Sequence, residues 1–122
     1  MSTLDQEIET LNNKFVSPVT EFKATRNSSI NRGDCWGLYN KQTNLVTLNF
    51  HFYHTADLTT STTLFTVPSQ YKPSSTKYGT LLFVNGGGTA GAYYCSINSS
   101  GIIVQNAGST IRQGVGIIEY LL

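Results

Sequence analysis

Two histidines, two cysteines and seven carboxylates are a thin inventory for acid–base or metal chemistry. Asp5, Glu7 and Glu9 fall in a segment that reads as a helix, which leaves Glu21, Asp34, Asp57 and Glu119 for any site elsewhere. A glycosidase needs two carboxyl groups facing each other about 5 to 9.5 Å apart. Asp34 with Asp57 is the pair left open for that work; the plainer reading is solvated carboxylates on loops and strand ends. His51 and His54 lie three apart on or just after a strand, so they project in roughly opposite directions and make a poor metal pair. No serine sits in a G-x-S-x-G context, and Cys35 with a distant histidine is only the default pairing of such a chain. The expectation is a protein that is not an enzyme and that holds neither metal nor cofactor.

Carbohydrate binding asks for different groups: an aromatic face to stack on the apolar side of a sugar ring, with amides, carboxylates, guanidinium or phenol groups for its hydroxyls. These are plentiful. Trp36 is the sole tryptophan and is flanked by Asp34; its ordinary fate is core packing, and its alternative is stacking on a ligand. His51 and Tyr53 share the polar face of the clearest strand, and of Tyr93 and Tyr94 one must point outward. The candidate ligand set is Trp36, His51, Tyr53, Tyr93, Arg112 and Asp34. The polar face carrying Asn49, His51 and Tyr53 has a second possible fate, bonding neighbouring chains across an oligomer interface.

Other short motifs carry less. Gly86-Gly87-Gly88 lacks a following Lys-Ser or Lys-Thr pair and a helix start, so it reads as a hairpin tip and not a phosphate loop. Arg32-Gly33-Asp34 matches a tripeptide recognised by some animal adhesion receptors, a match frequent by chance. Asn27-Ser28-Ser29 and Asn98-Ser99-Ser100 satisfy the glycosylation sequon but read more simply as turns.

The elements that must position these groups are mostly strands. The 122 residues suit one ordinary domain, with 39% hydrophobic residues but only 12% charged; Ser, Thr, Asn and Gly fill the deficit, as in a β-protein with an uncharged polar surface. A net charge of +1 argues against a nucleic-acid partner or an anionic membrane surface held by bulk electrostatics. No apolar run approaches the roughly 20 residues that span a bilayer, and the N-terminus carries no basic and apolar leader, so a soluble chain without a secretion signal is expected. Cys35 and Cys95 are far apart in sequence and read as two buried reduced thiols.

Leu4, Ile8, Leu11 and Phe15 follow the a/d spacing of a coiled-coil seam, with Ser2 or Thr3 as N-cap and Pro18 as the stop. About three turns of isolated helix are marginal in water, so the stripe needs a partner. Packing on its own domain and the end of an oligomeric stalk are the two readings; the stalk is favoured, with a parallel trimer preferred and a dimer still open. After Pro18 the chain reads as short strands near 21–25, 35–39, 46–53, 64–67, 80–84, 93–97, 102–105 and 115–121. The period-two alternation of 46–53 is the clearest, and Gly114 and Gly116 are read as loosening the last strand or allowing close backbone approach at its start. The expected architecture is all-β: an antiparallel β-sandwich or jelly-roll head over residues 19–122, preceded by a short N-terminal coiled-coil helix over residues 1–18.

The run 64–74, Leu-Phe-Thr-Val-Pro-Ser-Gln-Tyr-Lys-Pro-Ser, resembles a connection in the β-structured tips of phage tail fibres and baseplate proteins. Pro68 and Pro73 end any strand, Ser69 and Gln70 turn between them, and Tyr71 is a packing anchor. With the heptad, the hairpin at 96–102 and the hydrophobic last strand, the layout is similar to the C-terminal head of a phage receptor-binding protein over about 100 residues. It departs at Val67, where leucine is commoner, and at Lys72, where arginine is. The resemblance implies a homotrimer at the distal tail of a virion, contacting other tail or baseplate proteins and recognising saccharides of the bacterial cell wall or envelope. The family shares no single set of ligand residues, so it supplies none here. A structural baseplate or fibre module and a tail-associated glycan hydrolase are the alternative functions. A trimeric jelly roll of animal origin is disfavoured by the absent leader.

Overall fold

Val46, Leu48, Phe50 and Phe52 alternate with Thr47, Asn49, His51 and Tyr53, and the first set is buried while His51, Tyr53 and Asn49 stay exposed. That period of two fixes which face of the central strand meets the core. The structure, a computed structural model, describes residues 3–7, 18–58, 62–85, 87–104 and 111–122, those at 57 and 104 by backbone alone. The strands are β1 (Val19–Lys23), β2 (Thr25–Arg26), β3 (Arg32–Asn40), β4 (Leu45–Leu58), β5 (Thr63–Thr66), β6 (Lys77–Val84), β7 (Ala90–Asn98), β8 (Gly101–Val104) and β9 (Ile111–Leu121).

All of them join one antiparallel sheet in the order β1-β3-β4-β9-β6-β7-β8-β5-β2. The two ends of that order are consecutive pieces of one chain segment. Residues 19–23 pair with β3 and residues 25–26 with β5, and between them the Ala24 amide donates to the Cys35 carbonyl at 3.0 Å. The sheet therefore curls until its ends nearly meet, leaving only short edges. All-β, antiparallel and mostly strand are as expected; β3, β4, β6 and β9 run longer than the sequence pattern suggested.

Phe50, Phe65, Leu48, Leu64, Leu81, Ile97, Ile102 and Ile118 fill the interior. Each such side chain contributes roughly 1.5–3 kcal/mol on burial. Phe50 and Phe65 bring their rings within 5.8 Å across the interior. Cys35 and Cys95 are both buried and unpaired, as expected.

The proline-bracketed connection is a 3-10 turn, Ser69–Tyr71, closed by the Tyr71 amide donating to the Pro68 carbonyl at 2.9 Å. Tyr71 is the expected anchor. It is buried, stacks on Phe22 with ring centroids 4.0 Å apart, and accepts at its carbonyl a 2.5 Å hydrogen bond from the Tyr120 hydroxyl. The hairpin expectations hold as well. Asn85 Oδ1 accepts from the amides of Gly87 and Thr89 in the β6–β7 turn, and Asn98 Oδ1 accepts from Ser100 in the β7–β8 turn.

Residues 4–7 are helical, and Thr3 is the N-cap. The Gln6 amide donates to Thr3 Oγ1 and the Thr3 amide to Gln6 Oε1, a reciprocal capping box. Leu4 is 71% exposed. Ile8, Leu11 and Phe15 of the expected seam lie outside the described residues.

Candidate functional site

The registry of β1, β3 and β4 determines which exposed side chains become neighbours. Lys23 lies opposite Trp36, and Trp36 opposite Asn49; one pleat along, Asp34 lies opposite His51, and one further, Arg32 opposite Tyr53. Cys35 and Gly37, between these positions, face inward, so Asp34, Trp36 and Leu38 must face out. Gly37 is required there. A Cβ at that position would fall 2.1 Å from the ring of Phe22, which packs over the strand from inside.

Trp36 is 45% exposed, so core packing is not its fate. Its indole meets the His51 ring at 5.4 Å, and His51 Nε2 lies 3.6 Å from Asp34 Oδ2. With both partners well exposed, that contact adds little to stability and leaves the two groups available to a ligand. A recess of about 590 Å³ runs beside the indole, lined by Glu21, Phe22, Lys23, Trp36, Gly37, Leu38 and Asn49. An aromatic plate thus sits among a carboxylate, an ammonium and an amide. Such a surface can stack on a sugar ring and hydrogen-bond its hydroxyls.

A larger trough of about 750 Å³ crosses the same outer face toward β9 and β6, with Arg32, His51, Tyr53 and Gln113 beside Leu82, Val84 and Val115. Tyr53 thus belongs to this trough and not to the indole recess.

The remaining expected residues are elsewhere. Tyr93 is on β7, its ring 4.4 Å from that of Tyr94, which in turn meets Tyr78 at 5.7 Å. The hydrogen bond between the Tyr93 and Tyr94 side chains raises the Tyr94 hydroxyl above its ordinary range. Arg112 is half-buried at the start of β9, where the β4–β9 registry breaks, and lines neither recess. His54 faces away from His51 and accepts the Asn31 amide at 3.4 Å. Arg32-Gly33-Asp34 is part of β3, not a loop tip.

Sequence reasoning missed Lys23, Glu21, Arg32 and Gln113 as neighbours of the aromatic groups, because strand partners are set by pairing and not by proximity in the chain. It also missed the pattern of β9. Gly114, Gly116, Ile118 and Tyr120 face inward, and Val115 and Ile117 face out, at 59% and 49% exposure. Over residues 114–117 the alternation is inverted in polarity, glycines facing the core and branched apolar residues solvent, while at 118–120 it is ordinary, with Ile118 and Tyr120 inside and Glu119 exposed.

Among the described residues no cluster of three His, Cys, Asp or Glu groups could hold a metal ion, and no helix is long and apolar enough to cross a membrane. No family model, curated protein or solved structure matches the chain.

Proposed function

We propose that the chain is a non-enzymatic receptor-binding head of a phage tail device, holding a bacterial envelope saccharide against the outer face of β3 and β4. The observation that carries this reading is the half-exposed Trp36 ringed by Lys23, Asn49, Asp34, His51 and Glu21. A tryptophan left at the surface of a chain with an ample core has a use outside that core. In this reading the curled sheet is a flattened two-layered head, the helix that begins at Thr3 is the end of a coiled-coil stalk, and the assembly is a homotrimer on the distal tail of the virion. The site is shallow, and avidity compensates. Several weak contacts made together can exceed one contact by about 10²–10⁴.

The test is binding of purified envelope polysaccharides from candidate host bacteria to the full chain. Trp36→Ala should weaken binding more than tenfold, with Asn49→Ala and His51→Ala weaker by smaller factors. Absence of all three effects, or shortening of the saccharide chains by the protein, would overturn the reading.

A structural module joining tail or baseplate proteins is the second reading. The exposed apolar side chains of β9 and β6 favour it, since a saccharide site has no use for them.

A further inference from the structure

The outer face of β3 and β4 carries two exposed aromatic rings. Trp36 stands opposite Asn49, and four residues along the same pair of strands Arg32 stands opposite Tyr53. At roughly 3.3 Å per residue the two positions lie about 13 Å apart. Tyr53 is 43% exposed, close to the 45% of Trp36. Its partner on the other side is Gln113, so Arg32, Tyr53 and Gln113 form one cross-strand row that opens on the trough. Each ring thus has an amide and a charged group for company: Asn49 and Lys23 at the indole, Gln113 and Arg32 at the phenol. His51 joins the two places, since its ring meets the indole at 5.4 Å and it also lines the trough.

The two hollows differ in charge. Glu21 and Lys23 line the indole recess, so it holds both signs. The trough is lined by Arg32 and, among the described residues, by no carboxylate. Asp34, two residues along β3, is turned to His51. Arg32 is exposed, and among the described residues its guanidinium has no ion-pair or hydrogen-bond partner. Such a group presents a planar fork of donors that matches a carboxylate or a phosphate. The phenol and the amide beside it offer further donors.

We infer that the saccharide held by this face is an acidic chain of several rings running along β3 and β4, with an uncharged ring on Trp36 and an anionic group, carboxylate or phosphate, on Arg32 beside Tyr53 and Gln113. The inference rests on the saccharide reading of the Trp36 recess and adds the length, charge and direction of the ligand. Length follows from the separation of the two rings, which exceeds one sugar residue. Charge follows from the unpartnered cation in the trough. Direction follows from Glu21 and Asp34, which repel an anion at the indole end. Both hollows, at about 590 and 750 Å³, fall in the roughly 300–1,000 Å³ range of small-ligand sites. Leu82 and Val84 wall the trough on the side away from β3, and the chain of rings need not cover them.

The experiment measures binding of the full chain to envelope polysaccharides of candidate host bacteria, each tested native, after chemical reduction of its carboxylates, and after removal of its phosphates. Wild type, Arg32→Ala, Arg32→Lys and Trp36→Ala are compared. The wild type should bind a native acidic polysaccharide about tenfold or more tightly than the same polymer stripped of its anionic groups. Whichever treatment weakens binding names the group that Arg32 takes. Arg32→Ala should lose the preference and bind native and stripped polymers alike, which separates lost charge from any shortening of the chain. Arg32→Lys should retain part of it, and Trp36→Ala should weaken both polymers by the same factor. The wild-type preference should also shrink between about 50 and 500 mM salt, a readout that needs no variant. Equal binding of native and stripped polymers by the wild type, with Trp36→Ala still weakening both, overturns the inference and leaves the saccharide reading standing. So does a preference that Arg32→Ala leaves intact. A wild type that binds no polysaccharide overturns the reading and the inference together. A preference that depends on Arg32 while Trp36→Ala changes nothing overturns the path between the two rings.

Discussion

Gly116 and Phe50 are cross-strand partners, and the side chain the glycine lacks is the space that the phenylalanine ring occupies. A Cβ built on Gly116 would lie 2.2 Å from Phe50 Cζ, and Phe50 is itself buried on every side. Gly116→Ala should therefore destabilise the fold by about 1–3 kcal/mol, as overpacking does elsewhere. Urea denaturation would read this as a lower midpoint with an unchanged slope. An unchanged midpoint would mean that the ring can move aside.

Tyr120→Phe removes the hydroxyl that donates to the Tyr71 carbonyl and leaves a buried acceptor without that bond. A cost of about 1–2 kcal/mol is expected in the same denaturation assay. Tyr71→Phe keeps the ring that stacks on Phe22 and the carbonyl that accepts the bond, so it should cost clearly less. A larger loss for Tyr71→Phe than for Tyr120→Phe would contradict the packing described here.

Burial pushes the Cys35 thiol up to about 12 and the Cys95 thiol up to about 11, from an ordinary value of 9.0. Burial, and next to it the charge of Cys35, also raises the Tyr120 hydroxyl. In each case the folded state holds its proton more tightly than the unfolded chain. The stabilisation is complete below pH 9 and declines as pH rises from 9 toward 12, because there the unfolded state alone gives up protons. Thermal melts should show a falling midpoint across that interval. Native protein at pH 8 should resist alkylation at both thiols, and protein in urea should not. Rapid native labelling of either cysteine would count against its burial.

Trp36 is the sole tryptophan, so intrinsic fluorescence reports on one place. Half-exposed beside His51, it should emit to the red of a buried indole and be quenched readily by acrylamide. Addition of a saccharide that stacks on it should shift emission to the blue and slow the quenching. A ligand that binds with neither change does not use the indole recess.

The strand content, the turns and the Tyr71 anchor were legible because each follows from local chemistry: alternation in β4, proline and Asx residues at the turns, one tyrosine between two prolines. Burial of Cys35 and Cys95 was legible for the same reason. The face on which Trp36 sits was not, since it depends on Phe22 packing over Gly37 from a different strand. Nor was the company that Trp36 keeps. Lys23 and Asn49 reach it through registry, while Arg112 and Tyr93, equally good candidates by residue type, are carried elsewhere by the registry break in β4–β9 and by the position of β7. In β9 the glycines read equally as weakness or as room for close approach, and only the packing of Phe50 and Leu81 against them decides for room.

The switch of pairing partner at Ala24 has a mechanical meaning. The segment that closes the sheet is also the one through which residue 18 joins the head, so a pull from that side arrives at the seam. The first connections to bear load are the Lys41 amide bonded to the Pro18 carbonyl at 3.1 Å and the pairing of Val19 with Asn40; behind them lies the two-residue contact of β2 with β5. Tension would reach the β1 margin of the sheet first and the β5 margin only once β1 has peeled from β3, so the part of the head that yields first is the one farthest in sequence from β9.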